Sequence, residues 1–493
     1  MLNMKFNFNF IFISAAPSLE PARLPRRVAR IAAALLLIPI LPLSSFAGEE
    51  AVQSSPAVTL ADQHPAESQT TPAFLPHPDS RFWVSGQTNI IFQAHPPFPA
   101  RYSGPNSLSA RYEKATSRVM TLFLGFKLNN STEVLVNVEA AGGDGLSHAL
   151  GVAGFTNLDV VRNPSLGQKP YLARLEVHRI FAFGAQKATA DRGPFSGFVS
   201  LPERRLEVRA GRLSLADFFD LNTEGTDSHF QFMNWATDNN AAYDYAADTR
   251  GYTYAAILDY ETPRWGLRFA EALLPTVANG IDLNWNLRHS HSENYEWSLK
   301  RFVLRKQRGA VRLLAFHNTA NMGIYRVAID QYLAGIDPIP SITAHPQQET
   351  SKYGFGINVE QAITPGISVF GRFGWNNGKT ESYVYTEADQ TFLVGAGFYG
   401  QRWKRAHDKA GIAFVSSAIS GNHRRYLELG GTGFLLGDGS LTYGREKIVE
   451  AYYTAHLWRG VYLGPDLQRI DNPGYNQSRG PVLVPGFRTH FEF

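Results

Sequence analysis

The sequence has 493 residues, no cysteine and a formal net charge of +4. The excess charge lies entirely within residues 1–47, so the remaining chain is electrically balanced and offers no basic surface for DNA or RNA. The length allows one large barrel or two to three soluble domains, and the absence of cysteine excludes disulfide bonds.

Residues 1–47 have the pattern of a cleaved secretory signal. Three arginines between positions 26 and 30 precede an apolar run over residues 31–43, and small residues follow at the cleavage positions 45–47. The run has about 13 residues, whereas a transmembrane helix needs about 20. Residues 1–20 are atypical of a signal, which points to a start codon downstream of Met1.

Residues 48–80 are predicted to form a flexible periplasmic leader, and residues 81–493 one outer-membrane β-barrel domain. The leader is rich in Pro, Ala, Ser, Thr and Gln and has no period. From Arg81 onward the side chains alternate with period two: Val84 and Phe92 share one face of the first strand, and Ser85 and Gln93 share the other. Sixteen strands are predicted to start near residues 82, 118, 132, 171, 204, 251, 265, 294, 310, 352, 367, 390, 409, 447, 461 and 481.

The predicted links between strands alternate between tight turns and long polar loops. This pattern places both ends of the domain at the tight-turn end, as in an outer-membrane barrel with short periplasmic turns and long extracellular loops. Residues 184–203 depart from it, because a short turn is expected there. The fold class is therefore an all-β transmembrane antiparallel barrel, and about sixteen strands leave room for an aqueous channel.

The last strand shows the alternation in its strictest form. Phe487, Thr489, Phe491 and Phe493 share one face, and Arg488, His490 and Glu492 share the other. We expect the first face to meet outer-membrane lipid and lipopolysaccharide, the second to face the lumen, and the terminal Phe493 to engage the barrel-assembly machinery. The alternative is an edge strand of a soluble sandwich, which gives no reason for the unequal loop lengths.

The loop over residues 214–250 is the strongest candidate for selectivity. Its acidic residues are Asp217, Asp220, Glu224, Asp227, Asp238, Asp244 and Asp248, interleaved with aromatic residues. We expect it to fold partly inside the barrel, with its carboxylates facing arginines of the lumen. Two alternatives remain: the acids face solvent while the aromatic residues form the loop's own core, or, less favoured, some acids bind calcium.

Other motifs carry no chemistry in this context. The G-x-G-x-x-G string at 395–400 lies within an alternating strand and lacks a following helix. His289 and His291 have no third metal ligand nearby, and no hydrolase or phosphate-binding motif occurs. We therefore expect no cofactor, no metal, no nucleic-acid partner and no enzymatic activity.

Several strings together resemble the carbohydrate-selective porins of OprB type. They are Gly86–Gln87, Tyr102–Leu108, Gly143–Ser147, Gly154–Asn157, Phe232–Trp235, Tyr243–Tyr245, Ala247–Tyr252, Arg312–Phe316, Gly374–Asn376, Gly437–Gly439, Asn472–Asn476 and Arg479–Pro481. The resemblance spans nearly the whole chain after the leader. It implies a sixteen-stranded outer-membrane barrel that passes glucose and similar sugars, with arginines and acidic residues narrowing the bore.

The sequence thus predicts a porin for passive diffusion of small carbohydrates, namely glucose-like monosaccharides and short oligosaccharides. The candidate hydroxyl donors are Arg174, Arg205 and Arg209, the acceptors are Glu139, Glu176, Glu207, Asp238, Asp244 and Asp248, and the stacking residues are Trp235, Tyr243 and Tyr245. The rival hypotheses are a general or different-substrate channel, an outer-membrane enzyme, and a structural or adhesive barrel with a closed bore. Monomer and homotrimer both remain open.

Overall fold

A computed structural model of the chain describes residues 80–160, 166–300 and 307–493. The predicted signal and nearly all of the predicted leader lie outside these residues. Among the helices of the described ranges, none combines the length and apolar character needed to cross a membrane.

The described ranges contain eighteen strands and three short α-helices. The strands are β1 (Phe82–His95), β2 (Glu113–Asn129), β3 (Thr132–Gly143), β4 (Tyr171–Ala182), β5 (Lys187–Thr189), β6 (Ser200–Pro202), β7 (Arg205–Leu213), β8 (Thr253–Glu261), β9 (Trp265–Ala272), β10 (His291–Lys300), β11 (Gly309–Met322), β12 (Gln347–Thr364), β13 (Ile367–Asn376), β14 (Gln390–Tyr399), β15 (Lys409–Ala418), β16 (Glu446–Trp458), β17 (Val461–Asp471) and β18 (Val482–Glu492). The helices are α1 (Trp235–Asp238), α2 (Tyr325–Leu333) and α3 (Gly421–Glu428).

All strands except β5 and β6 form one closed antiparallel barrel. Neighbours in the sequence are neighbours in the sheet, β4 pairs with β7, and β1 pairs with β18 to close the cylinder. At the closure, the Gly86 amide donates to the Phe493 carbonyl (2.7 Å) and the Phe493 amide donates to the Gly86 carbonyl (2.9 Å). The sixteen-strand prediction is confirmed. β2 and β12 begin earlier than predicted, because their first residues are mostly polar and show no apolar alternation.

The two faces of the wall differ as the alternation predicts. Phe92 and Phe487 are each 42% exposed on the outside, whereas Asn89 and Arg488 point inward and are buried. Ala173 departs from the alternation: it has the parity of the outward-facing Leu175 and Val177, yet it is fully buried. Asn137 pairs with Arg174 while Val138 pairs with Leu172, so Ala173 is the extra residue of a β-bulge. The bulge keeps Arg174 inside while Leu172 faces outward.

Long loops leave one end of the barrel. They are L1 (96–112), L2 (144–170), L3 (214–252), L4 (273–290), L5 (323–346), L6 (377–389), L7 (419–445) and L8 (472–481). Three of them are tied together through Arg479 of L8, which is buried and donates to the carbonyls of Tyr102 and Leu108 in L1. Asn106 of L1 donates to the carbonyl of Gly433 in L7 (2.8 Å). The loops thus form a connected cover over this end of the barrel.

Residues 184–203, which the sequence marks as a departure from the pattern of tight turns, do not form a short turn. This segment, the inner hairpin, contains β5 and β6 and folds inward from the tight-turn end. It has an apolar cluster of its own in which Ala190, Phe198 and Leu201 pack on Ile180, a lumen-facing residue of β4. A segment with its own core can occupy the bore, whereas a simple turn cannot.

Candidate channel constriction

L3 folds into the barrel, as the sequence predicts. Its Asp220 pairs with Arg372 on β13 (2.8 Å), and its Met233 amide donates to Glu450 on β16 (2.5 Å). Two strands from β16 in the sheet, Arg488 of β18 donates to the carbonyl of Ser228 (2.6 Å). L3 is therefore fastened across the lumen by hydrogen bonds to inward-facing residues of several strands.

The aromatic residues proposed for stacking lie inside L3's packed interior. Trp235 stacks on Tyr385 of L6, with ring centroids 4.6 Å apart, and on Tyr245 at 6.1 Å. Tyr243 donates from its hydroxyl to Asn294 on β10 (2.7 Å). All three predicted stacking residues are at most 6% exposed and belong to an apolar cluster that L3 shares with other loops and with the wall, so they do not line the cavity.

A cavity of about 540 Å³ remains inside the barrel. Three parts of the chain provide most of its lining, namely the barrel wall, L3 and the tip of the inner hairpin, and Leu158 of L2 adds to them. The wall contributes Gln87, Thr121, Phe123, Asn137, Glu139 and Arg174, L3 contributes Asp217, Asp227, His229, Phe230 and Asp238 among others, and the hairpin contributes residues 191–196. Tyr252 at the long-loop end and Arg308 at the tight-turn end also line it, so the cavity receives residues from both ends of the barrel.

Arg174 lies where the three parts meet. Its guanidinium pairs with Glu176 on its own strand (2.8 Å) and with Asp217 of L3. It also lies over the ring of Phe195 at the hairpin tip, 4.7 Å from the centroid. The side chain is 1% exposed and is held by carboxylates on two sides, so its charge is compensated and its geometry is fixed.

Glu139 is an acceptor on β3, the strand that pairs with β4 beside Arg174. Its carboxylate accepts hydrogen bonds from Thr121 (3.2 Å), from Tyr252 (3.0 Å) and from Tyr171. Three hydroxyl groups therefore already converge on this one carboxylate. A polar solute passing by meets hydroxyls and a carboxylate that exchange hydrogen bonds without leaving an isolated charge.

The remaining predicted strand residues form a ladder of ion pairs along β4 and β7. Arg209 pairs with Glu176 (2.6 Å), and Arg205 pairs with Glu207 (2.6 Å). His178 bonds Glu207 and Glu133, each at 2.8 Å. These groups are buried and lie outside the cavity lining. Because a buried charge is tolerated only when it is paired, the ladder fixes the wall beneath the hairpin.

The structure therefore divides the predicted site residues into two groups. Arg174, Glu139 and Asp238 line the cavity. Asp244 pairs with Lys352 (3.2 Å) and Asp248 with Arg212 (2.6 Å), and both carboxylates fasten L3 to the wall. The sequence argument missed the aromatic lining, which is Phe123, Phe195, Phe230 and Tyr252. Phe123 has the same inward parity as Thr121, so the sequence could have predicted its place in the lining. Phe195 lies within residues 184–203, where a short turn was expected.

Comparisons with known proteins agree with this architecture. The model of the family "Carbohydrate-selective porin, OprB family" matches residues 119–493. No curated protein matches the sequence.

Among solved structures, the high-pH structure of Pseudomonas putida OprB is similar with a TM-score of 0.63 and 17% identity, covering 84% of this chain and 94% of that one. The outer-membrane channel DcaP of Acinetobacter baumannii gives a TM-score of 0.45 and 8% identity, covering 85% and 100%. The first of these supports the fold, and the family model supports membership. The chain belongs to the OprB family of carbohydrate-selective porins, barrels that pass small sugars through the outer membrane.

Proposed function

We propose that small neutral carbohydrates diffuse passively through the cavity bounded by Arg174, Glu139, Asp217 and the tip of the inner hairpin. The observation that carries the proposal is the meeting of these groups around a space of about 540 Å³, within the range typical of small-molecule sites. No energy coupling is required, because a water-filled bore lets a solute move down its own concentration gradient.

The mixed sign of the lining supports a neutral solute. Arg174 is offset by Asp217 and Glu176 within direct contact. A bore of one sign attracts ions, whereas paired guanidinium and carboxylate groups offer donors and acceptors to vicinal hydroxyls. In this role Arg174 donates, while Glu139, Asp217 and Asp238 accept.

In this proposal the other predicted residues do not contact the solute and instead hold the lining in position. Glu176, Arg205, Glu207 and Arg209 hold the wall, Asp244 and Asp248 hold L3, and Trp235, Tyr243 and Tyr245 give L3 its rigid interior. Their support is that each is buried and bonded to a neighbouring element. A fixed lining recognises a solute at lower entropic cost than a mobile one.

Liposome swelling with arabinose, glucose, maltose and an amino acid of similar size tests the proposal. We expect the sugars to enter faster than the amino acid, since the paired lining offers no compensation for a zwitterion's separated charges. Equal rates for all solutes would instead establish the general diffusion channel. Empty liposomes and liposomes with heat-denatured protein are the controls.

We also propose that residues 1–47 are removed on export and that residues 48–80 remain as a periplasmic leader. The support is the arginine-plus-apolar pattern together with the outer-membrane location that the family implies. N-terminal sequencing of the protein purified from outer membranes should give a start at Gly48. The same proposal includes contact of the outer face with lipopolysaccharide and recognition of Phe493 by the barrel-assembly machinery. It also includes a barrel that is either a monomer or a homotrimer.

A further inference from the structure

The inner hairpin lies at the periplasmic end of the barrel and reaches the cavity with a run of consecutive residues. Residues 191–196 at its tip contribute to the lining beside Arg174. The hairpin therefore narrows the passage from the side opposite to L3, which enters from the long-loop end.

The tip of the hairpin has a defined shape. The Gly193 amide donates to the Ser196 carbonyl (2.8 Å), and the Ser196 amide donates to the Gly193 carbonyl (3.2 Å). This closed pair places Pro194 and Phe195 at the apex. Proline restricts the backbone there, so the adjoining Phe195 has few alternative positions.

Residues of three barrel strands hold the tip in place. Glu133 of β3 accepts from the Gly197 amide (2.7 Å) and from the Ser196 hydroxyl (3.1 Å). Arg192 donates to the Phe82 carbonyl of β1 (2.6 Å), and Arg209 of β7 donates to the Phe195 carbonyl (3.3 Å). The tip is therefore fixed before any solute arrives, which lowers the entropic cost of binding.

Phe195 combines an apolar ring with nearby polar groups. It is half-buried and lines the cavity, with Arg174 4.7 Å from its centroid and the Phe123 ring 6.3 Å away at 61°. Asp217, which pairs with the same Arg174, also lines the cavity. A pyranose ring needs this combination: an aromatic face for its C–H groups, with a donor and an acceptor for its hydroxyls.

We propose that Phe195 is a specificity-determining residue of this porin, the aromatic surface against which the C–H face of a pyranose packs during passage. The proposal rests on the sugar passage proposed above and adds the site of ring recognition. It assigns the stacking role to the hairpin and not to L3. It also distinguishes cyclic sugars from linear polyols, which offer hydroxyls but no ring face.

Planar bilayers containing purified wild type or variants test this inference. Two quantities are measured: the ion conductance of single channels, and the glucose concentration that halves this conductance. Phe195→Leu keeps an apolar side chain but removes the aromatic face, Phe195→Tyr keeps the face, and Phe195→Ala removes the bulk. Phe183→Leu is the matched control, since Phe183 is 52% exposed at the end of β4. Heat-modifiable gel migration checks that each barrel is folded.

We expect Phe195→Leu to raise the half-blocking glucose concentration about tenfold, a loss of the size expected for an aromatic contact. Phe195→Tyr should stay close to wild type, and Phe183→Leu should change nothing. In liposome swelling, Phe195→Leu should lower the ratio of the glucose entry rate to the entry rate of sorbitol, a linear polyol. Phe195→Ala should both raise the half-blocking concentration and increase the ion conductance.

Two results would overturn the inference, and they are distinguishable. If no sugar reduces the wild-type conductance, the sugar passage itself fails and the inference fails with it. If glucose blocks the wild type, and the leucine and alanine variants are blocked at the same concentration, the hairpin only narrows the bore sterically. If the alanine variant does not fold, the comparison of leucine with tyrosine decides alone.

Discussion

Arg174 contacts β4, L3 and the inner hairpin at once, through Glu176, Asp217 and Phe195. Removing its guanidinium would take one compensating positive charge from each of two carboxylates, although Glu176 would keep its pair with Arg209. A residue in this position is expected to affect both the net charge that lines the passage and the positions of L3 and the inner hairpin, which narrow it.

Arg174→Ala is therefore expected to move the reversal potential in a salt gradient toward cation preference. It should also raise the half-blocking glucose concentration about tenfold, because a charge-assisted donor is lost. Reversal potentials and glucose titrations in planar bilayers measure both effects. Arg179→Ala is the control, since Arg179 has the opposite parity on β4 and bonds Thr132. Unchanged ion preference in Arg174→Ala would contradict the assigned role.

The lumen parity of residues such as Arg174 and Glu139 could be predicted from the sequence, since each strand alternates between lipid and water. Their contacts could not be predicted in the same way. Asp217 and Asp244 both belong to the acidic loop, yet one lines the cavity while the other pairs with Lys352. Which acid faces the passage depends on the path of L3, and no periodic pattern records that path.

At the scale of elements, L3 is held by buried anchors on several strands, and one of them bonds to three of its residues. Arg372 of β13 is 2% exposed, pairs with Asp220 (2.8 Å), and donates to Thr226 (2.7 Å) and to the Asp238 carbonyl (2.9 Å). One barrel side chain therefore holds both halves of the loop. Removing one partner of a buried ion pair destabilises a folded protein by about 3–5 kcal/mol. Here the destabilisation would act mainly on L3.

Arg372→Ala should loosen L3 while the barrel remains folded, because the strand pairing of β13 does not involve this side chain. We expect larger and noisier single-channel currents, and faster cleavage within residues 214–252 by added protease. Arg469→Ala is the comparison, since Arg469 is exposed and pairs with Asp471. Quiet currents of wild-type size in Arg372→Ala would show that L3 is held elsewhere.

The inner hairpin escaped sequence prediction for a physical reason. Its strands β5 and β6 have three residues each, too short to show alternation, and its apex carries glycine and proline like an ordinary turn. Only its length indicated that the segment is more than a tight turn. The bulge at Ala173 was hidden for a similar reason, because one extra residue reverses the parity without changing the composition.

At the scale of the whole molecule, closure depends on the pairing of β1 with β18. The ring of Phe493 covers Gly86, and a Cβ at position 86 would collide with it. An aromatic ring over a strand glycine replaces the missing side-chain packing there. The final residue is thus part of the seam between the first and last strands.

Phe493→Ala should weaken this seam by about 1–2 kcal/mol, the size of an ordinary packing loss. We expect a lower yield of heat-modifiable barrel and a lower Tm in detergent. Phe392→Ala is the control, since Phe392 is an exposed aromatic residue of β14, outside this seam. Equal yields and Tm values for the two variants would remove the special role of the terminal ring.

The passage is narrowed by two segments that belong to opposite rims of the barrel. L3 enters the barrel from the long-loop end, whereas the inner hairpin enters from the tight-turn end. The apex at Pro194 and Phe195 takes part in no barrel ladder, so mutation there leaves strand registration intact. If Phe195 sets solute preference as proposed, that preference can change at the apex without any change in the ladder of the barrel or in L3.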